Sequence, residues 1–207
     1  MSVIYPRMAV IGCGLIGSSV IRAARESGAV GHVFVADASE AHRQRIVELG
    51  YADEVTGDIS EAVKDADLVV LAVPVLAMGE AAKAAAPALK AGATVTDVGS
   101  VKGAVVAAVG PHMPEGVHFI PGHPLAGTEH SGPGAGFAQL FDNRWCLLTP
   151  PPGADPVAVA ELTAFSARQR SVWAVSRLAA SAAARAAVER LKGPRTRSSA
   201  SMTWAGP

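Results

Sequence analysis

The chain has 207 residues, half of them hydrophobic and only 5% aromatic, and its 18 basic and 18 acidic side chains cancel. That length allows one full domain and a small extra piece. The charge balance gives no reason to expect a nucleic-acid or membrane partner. Two cysteines, Cys13 and Cys146, make no disulfide framework, and the longest apolar stretches run about 7 residues against the ~20 that a membrane span requires. The segment Met1 to Arg7 is too short and broken for a signal peptide, so a cytoplasmic protein is expected.

Strand-like and helix-like segments alternate from the start. Met8–Ile11 is a short apolar run that ends at a glycine, and Leu15–Arg25 repeats its apolar residues at helical spacing. His32–Ala36 reads as a second buried strand. Glu40–Leu49 reads as a helix stopped by Gly50, a plausible C-cap. Asp67–Val73 is a continuous apolar run closed by Pro74. Leu76–Leu89 is Ala-rich and helical, with Pro87 ending it early. A strand at Thr94–Val98, a short helix at Val101–Val109 and a strand at Val117–Ile120 follow. Continuous apolar strands separated by helices point to an α/β fold: a doubly wound, mostly parallel, Rossmann-like sheet covered on both faces.

The tail differs in kind. From Ser166 onward there are eight basic residues and one acid, Glu189, so this part carries +7 and residues 1–165 carry −7. Ser171–Ser176 reads as one more strand and Leu178–Leu191 as an Ala-rich helix. Gly193–Pro207 is rich in Pro, Ser, Gly and Arg, the composition of a disordered segment. The expected division is a dinucleotide-binding domain over 1–176 and a remnant helix with a basic tail over 177–207.

Gly12-Cys13-Gly14-Leu15-Ile16-Gly17 is G-x-G-x-x-G, preceded by a strand and followed by a helix. In that context the glycines permit a tight turn, close approach of backbone to a pyrophosphate, and close packing of helix on strand. The amides of Gly14, Leu15, Ile16 and Gly17 would then meet the phosphates at a helix N-terminus. Asp37 lies 20 residues after Gly17 at the end of the next strand, where an acid accepts hydrogen bonds from the adenosine ribose hydroxyls. Its charge favours NAD over NADP. The plain alternative is a structural glycine turn and a solvated Asp. Arg43 follows a helical turn too late to be the obvious partner of a 2′-phosphate, and Cys13 reads as a small residue that fits the loop. Val73 and Pro74 end the Asp67–Val73 strand at the edge where ligands bind in such sheets, so they are candidate cofactor contacts; a plain strand terminator is an equally good reading.

Two later segments concentrate polar groups among glycines. One is Asp97-Val98-Gly99-Ser100-Val101-Lys102-Gly103, and the other is Pro121-Gly122-His123-Pro124-Leu125-Ala126-Gly127-Thr128-Glu129-His130-Ser131-Gly132. Each follows a strand, so both fall on one sheet edge. With the glycine loop, with Phe137–Phe141 and Asn143-Arg144, and with Leu147–Pro150, they stand in an order that resembles the prephenate/arogenate dehydrogenase family. The resemblance covers roughly residues 7–165.

The resemblance implies a reaction. Hydride leaves the carbinol carbon of prephenate for NAD, CO2 departs, and the ring becomes aromatic, giving 4-hydroxyphenylpyruvate, or tyrosine if arogenate is the substrate. It also implies the base at the 4-hydroxyl, the GHP histidine, here His123; a neutral imidazole accepts that hydrogen bond. Ser100 matches a serine that orients the histidine and contacts the hydroxyl, although capping a helix that starts there is a competing role. Glu129 matches an acid that shapes or gates the site, and Lys102 is a candidate partner for a substrate carboxylate. His130 reads as a surface residue. His32, His42, His112 and His118 have no supporting motif, and the histidines lack metal-site spacing.

The family continues into a helical domain that makes a dimer and completes the substrate pocket, whereas 57 residues follow Pro150 here. No histidine follows His130, and the family's substrate-binding arginine maps to no residue. A truncated or frame-shifted reading beginning near Phe165 is therefore expected, with a natural short variant as the alternative. The family's dimer is not expected, and the partner is a small-molecule substrate. Two other functions stay open: another NAD-dependent hydroxy-acid dehydrogenase, and an NAD-binding remnant or regulatory module without activity.

Overall fold

The structure, a computed structural model, describes residues 2–175. Six strands form one parallel sheet: β1 (Tyr5–Ile11), β2 (Val30–Ala36), β3 (Glu54–Thr56), β4 (Leu68–Leu71), β5 (Thr94–Asp97) and β6 (His118–Phe119). Their order is β3-β2-β1-β4-β5-β6, the doubly wound arrangement expected from the sequence. Parallel strands need crossovers, and the chain supplies helices between them: α1 (Leu15–Glu26), α2 (Glu40–Leu49), α3 (Ile59–Val63), α4 (Met78–Ala85) and α5 (Lys102–Val109).

The inner strands are mostly apolar because both faces are covered, and β4, Leu68-Val69-Val70-Leu71, is wholly so. Alternate residues of β1 serve opposite faces. Met8 and Val10 join a core with Ile21, Val33, Val35 and Leu68. Ala9 and Ile11 join a second core with Val69, Leu71, Val95, Met78 and Val105.

Local chemistry sets both ends of α2. The Ser39 hydroxyl accepts from the His42 amide at 3.3 Å to start α2, and Gly50, at φ +63°, ends it. The helical reading of Leu76–Leu89 divides into a 3₁₀ turn at Val75–Ala77, α4, and a second 3₁₀ turn at Ala86–Ala88 that contains Pro87. Short β3 and α3, three and five residues long, were not anticipated.

The larger departure from expectation lies after β6. The segment read as a loop around His123 contains a strand, β7 (Gly122–Pro124), and Trp145–Leu148 is another, β8. These pair antiparallel, and β8 pairs in parallel with β9 (Val172–Val175), giving a second sheet in the order β7-β8-β9. The fold is thus not one sheet, and the strand read at Ser171–Ser176 belongs to the smaller one. An unanticipated helix, α6 (Pro156–Arg168), joins β8 to β9; Asp155 caps it by accepting from the Val157 and Ala158 amides, each at 2.9 Å. Leu162 and Phe165 of α6 enter the first core. The helix read at Leu178–Leu191, the basic tail and the 176/177 division lie outside the described residues.

Candidate active site

The strands β1, β4 and β5 end in register: Ile11 pairs with Leu71, and Leu71 with Asp97. At ~4.8 Å per strand, the loops after β1 and β5 start about 10 Å apart on the same edge.

The glycine loop leaves β1 with the Gly12 amide donating to the Ala36 carbonyl at 2.8 Å. A Cβ on Gly17 would stand 2.3 Å from the Gly12 carbonyl oxygen, so α1 packs on the loop only with glycine there. Gly14 is the α1 N-cap and offers no side chain, and nothing lies within 4 Å of where its Cβ would be. The first-turn amides of Leu15, Ile16 and Gly17 have no intrahelical acceptors, and no acid sits in that turn. That is a cradle for an anion, and it fits the pyrophosphate of a dinucleotide. Val73 lies against Gly12, its Cγ1 within 2.7 Å of a notional Cβ, while Pro74 is exposed and caps the 3₁₀ turn after β4.

Asp37 is buried just beyond β2. Its Oδ2 accepts from the Cys13 amide at 2.8 Å and its Oδ1 from the Ser39 amide at 2.9 Å. The His42 ring Nδ1 stands 3.4 Å from both carboxylate oxygens, and Oδ1, with one amide donor, keeps a lone pair that a ligand hydroxyl can use. Arg43 reaches back further than its position suggested: its Nη1 donates to the carbonyls of Asp37 at 2.8 Å and Ala38 at 3.0 Å. The Cys13 thiol is buried, 3.3 Å from the Tyr51 hydroxyl, and burial pushes its pKa up to about 12.

The chemistry loops meet at Asp97, which the sequence reading passed over. Its side chain is fully buried. Oδ2 accepts from the Gly99 amide at 2.7 Å and from the Lys102 ammonium, and Oδ1 accepts from the Gly122 amide at 3.1 Å. Lys102 also donates to the Gly122 carbonyl. The two loops are thereby joined one residue before His123. A Cβ on Gly122 would lie 2.9 Å from both the Asp97 carbonyl oxygen and the Thr96 hydroxyl, so β7 approaches β5 this closely only with glycine. An acid closing an apolar strand was the available signal for Asp97, because an unpaired carboxylate there would be costly.

His123 is half-buried on β7, opposite Leu147 of β8. Burial and the nearby Lys102 charge hold its imidazole below the usual value, with Asp97 opposing them. Burial also lowers Lys102, again opposed by Asp97. With two of its three N–H groups committed, Lys102 has one left for a ligand. Ser100 is exposed and does not cap α5; the N-cap is Val101, with no side-chain hydrogen bond. Glu129 is also exposed, its carboxylate 3.5 Å from the neighbouring His130 ring. Among the described residues, neither Ser100 nor Glu129 hydrogen-bonds His123.

Residues 20–173 match the model of the prephenate dehydrogenase nucleotide-binding domain. The chain belongs to the prephenate dehydrogenase family. A cyclohexadienyl dehydrogenase from Zymomonas mobilis is 44% identical over 162 residues, 78% of this chain and 55% of that one. A Bacillus subtilis prephenate dehydrogenase is 33% identical over 73% of this chain and 41% of its own. The chain thus spans about half the length of the curated relatives it matches. The structure resembles Aquifex aeolicus prephenate dehydrogenase in complex with hydroxyphenyl propionate and NAD+, at TM-score 0.76 and 30% identity over 83% of this chain and 59% of that one. A Synechocystis arogenate dehydrogenase gives TM-score 0.76 at 28% identity over 82% and 59%. The family match takes in both chemistry loops; the glycine loop precedes it and stands on its own geometry. Among the described residues no helix is long and apolar enough to cross a membrane.

Proposed function

We propose that the chain binds NAD and supplies the base for oxidative decarboxylation of prephenate or arogenate. The observation that carries this reading is the half-buried imidazole of His123, held next to the Asp97–Lys102 pair on the sheet edge that also bears the glycine loop. The amides of Gly14, Leu15, Ile16 and Gly17 bind the pyrophosphate, and Val73 packs behind the loop. Asp37 accepts from the ribose hydroxyls through the lone pairs it has left, and its charge disfavours a 2′-phosphate. Bound nicotinamide supplies the hydride acceptor.

His123 takes the proton of the substrate's ring hydroxyl at a ring nitrogen. Its lowered pKa keeps the imidazole neutral and able to accept at neutral pH. Ser100 and Glu129, both on the solvent side of these loops, contact or enclose the substrate, and the third N–H of Lys102 is available to a carboxylate.

A calorimetric titration with NAD and an assay of NADH formation with prephenate and with arogenate test the proposal. Binding of NAD together with turnover of either substrate supports it; no binding of NAD overturns it. One observation favours a second reading, a binding module without turnover: Ser100 and Glu129 are exposed and make no hydrogen bond to His123 among the described residues. NAD binding with no NADH formed from either substrate decides for that reading.

A further inference from the structure

We propose that the buried Asp97–Lys102 pair is the positioning device of His123, clamping the strand that carries the imidazole and setting the charge around it. The inference rests on the reading of His123 as the base.

The clamp is complete on both sides of one residue. Asp97 accepts the Gly122 N–H, and Lys102 donates to the Gly122 carbonyl, so both peptide planes flanking Gly122 are fixed by side chains of β5 and α5. The second of these planes contains the His123 nitrogen. On its other edge β7 is held by the ladder to β8, with Gly122 opposite Leu148 and His123 opposite Leu147. The strand is three residues long and has little stability of its own. Asp97 in turn fixes the turn ahead of α5 through the Gly99 amide, which places Lys102. The absence of a Cβ at Gly122 lets the strand sit close enough for these contacts.

The pair also frames the imidazole electrostatically. The groups around His123 are Asp97 on β5, Lys102 on α5 and Cys146 on β8, whose thiol burial keeps neutral. Lys102 opposes a second positive charge on His123, and Asp97 favours it. Deleting the ammonium leaves Asp97 unopposed. Lys102 and Asp97 are therefore positioning residues, acting through the Gly122 backbone and through their charges.

The test is NMR titration of the His123 ring in the full chain, assigned with His123→Asn. In Lys102→Met the protonation constant of His123 is expected to rise about tenfold, the size of a one-unit pKa shift. Lys102→Arg, which keeps the charge, is expected to restore most of the original titration. An unchanged His123 titration in a folded Lys102→Met protein overturns the proposal. Hydrogen exchange at the Gly122 amide of the unsubstituted chain gives a second decision that needs no variant. Protection like that of the β5 amides supports the clamp, and exchange at the rate of an open loop overturns it. Both readouts are independent of turnover. A chain that shows the clamp but forms no NADH with prephenate or arogenate counts against the catalytic reading and not against the device.

Discussion

The Asp37 carboxylate accepts a hydrogen bond from the Cys13 amide at 2.8 Å, so the acid beyond β2 is tied to the glycine loop beyond β1. On the proposed reading, cofactor selection and loop shape share one side chain. NAD is expected to bind more tightly than NADP, and Asp37→Asn is expected to narrow that preference. Because Asp37 is buried and serves two backbone amides, the substitution should also destabilise the fold by about 1–3 kcal/mol. Calorimetry with both cofactors, paired with a thermal melt, measures the two effects. Equal affinity for NAD and NADP in the unsubstituted chain would remove the role given to the charge.

Replacement of the proposed base is expected to act on turnover alone. His123→Asn should lower kcat by about 10²–10⁴-fold while NAD affinity holds, since a positioned base contributes that much. Ser100→Ala should cost less, because Ser100 makes no hydrogen bond to His123 among the described residues. Steady-state kinetics on the two variants compares them; near-normal turnover by His123→Asn would show that another group is the base.

The direction of the pH dependence follows from the same residue. The proposed reaction needs neutral His123, whose pKa is held below the ordinary 6.5. Activity should therefore hold its plateau to below pH 6.5 and fall as pH drops through the lowered value. A profile of kcat/KM against pH that bends above 6.5 would contradict the sign of the shift.

Gly122→Ala is expected to lower stability by about 1–3 kcal/mol, since the added carbon meets the Asp97 carbonyl oxygen and the Thr96 hydroxyl at 2.9 Å. Denaturant titration measures the loss. Gly14→Ala, with open space around it, should leave stability nearly unchanged and weaken NAD binding. If both alanines are equally harmless to the fold, β7 does not lie as close to β5 as described.

Burial places the Cys13 thiol at a pKa of about 12 and raises Cys146 as well. Neither should react with iodoacetamide at neutral pH while the chain is folded, and both should react after unfolding in urea. Mass spectrometry of the alkylated protein gives the count; rapid labelling of the native chain at Cys13 would place that thiol nearer solvent.

Legibility in the sequence followed the physics of each segment. The strands β1, β2 and β4 were visible because a strand buried on both faces is largely apolar, and β5, Thr94-Val95-Thr96-Asp97, through its β-branched residues. The glycine loop and Asp37 were visible because backbone approach to an anion demands residues without side chains at fixed spacing. β3 was hidden by its length and mixed polarity, and β7 by its glycine and proline, which read as turn residues. Pairing of β7 with β8 depends on contacts more than 20 residues apart, which no local pattern records. Helix α6 buries Ala158, Val159, Ala160, Leu162, Thr163, Phe165 and Ser166, so its apolar stripe is too broad to show a period; Asp155-Pro156 was the start signal passed over. At the site, His123 was found through its motif, whereas Asp97 escaped because its tie to His123 runs through Gly122, 25 residues along the chain.

The alternation of side chains along β7 makes the facing of the imidazole a two-valued choice. A side chain at 122 would point into Asp97 and Thr96, so the residue after it points the other way, and a slip of one position would drive the ring into that wall. Insertions and deletions are therefore forbidden between the end of β6 and Pro124. They are affordable in the irregular, exposed stretch 127–131, where added length leaves the β7 register untouched. Descendants of this sequence should vary in length there, and a gene with a single codon gained just ahead of Gly122 should encode a protein that keeps its nucleotide cradle and loses the placement of His123.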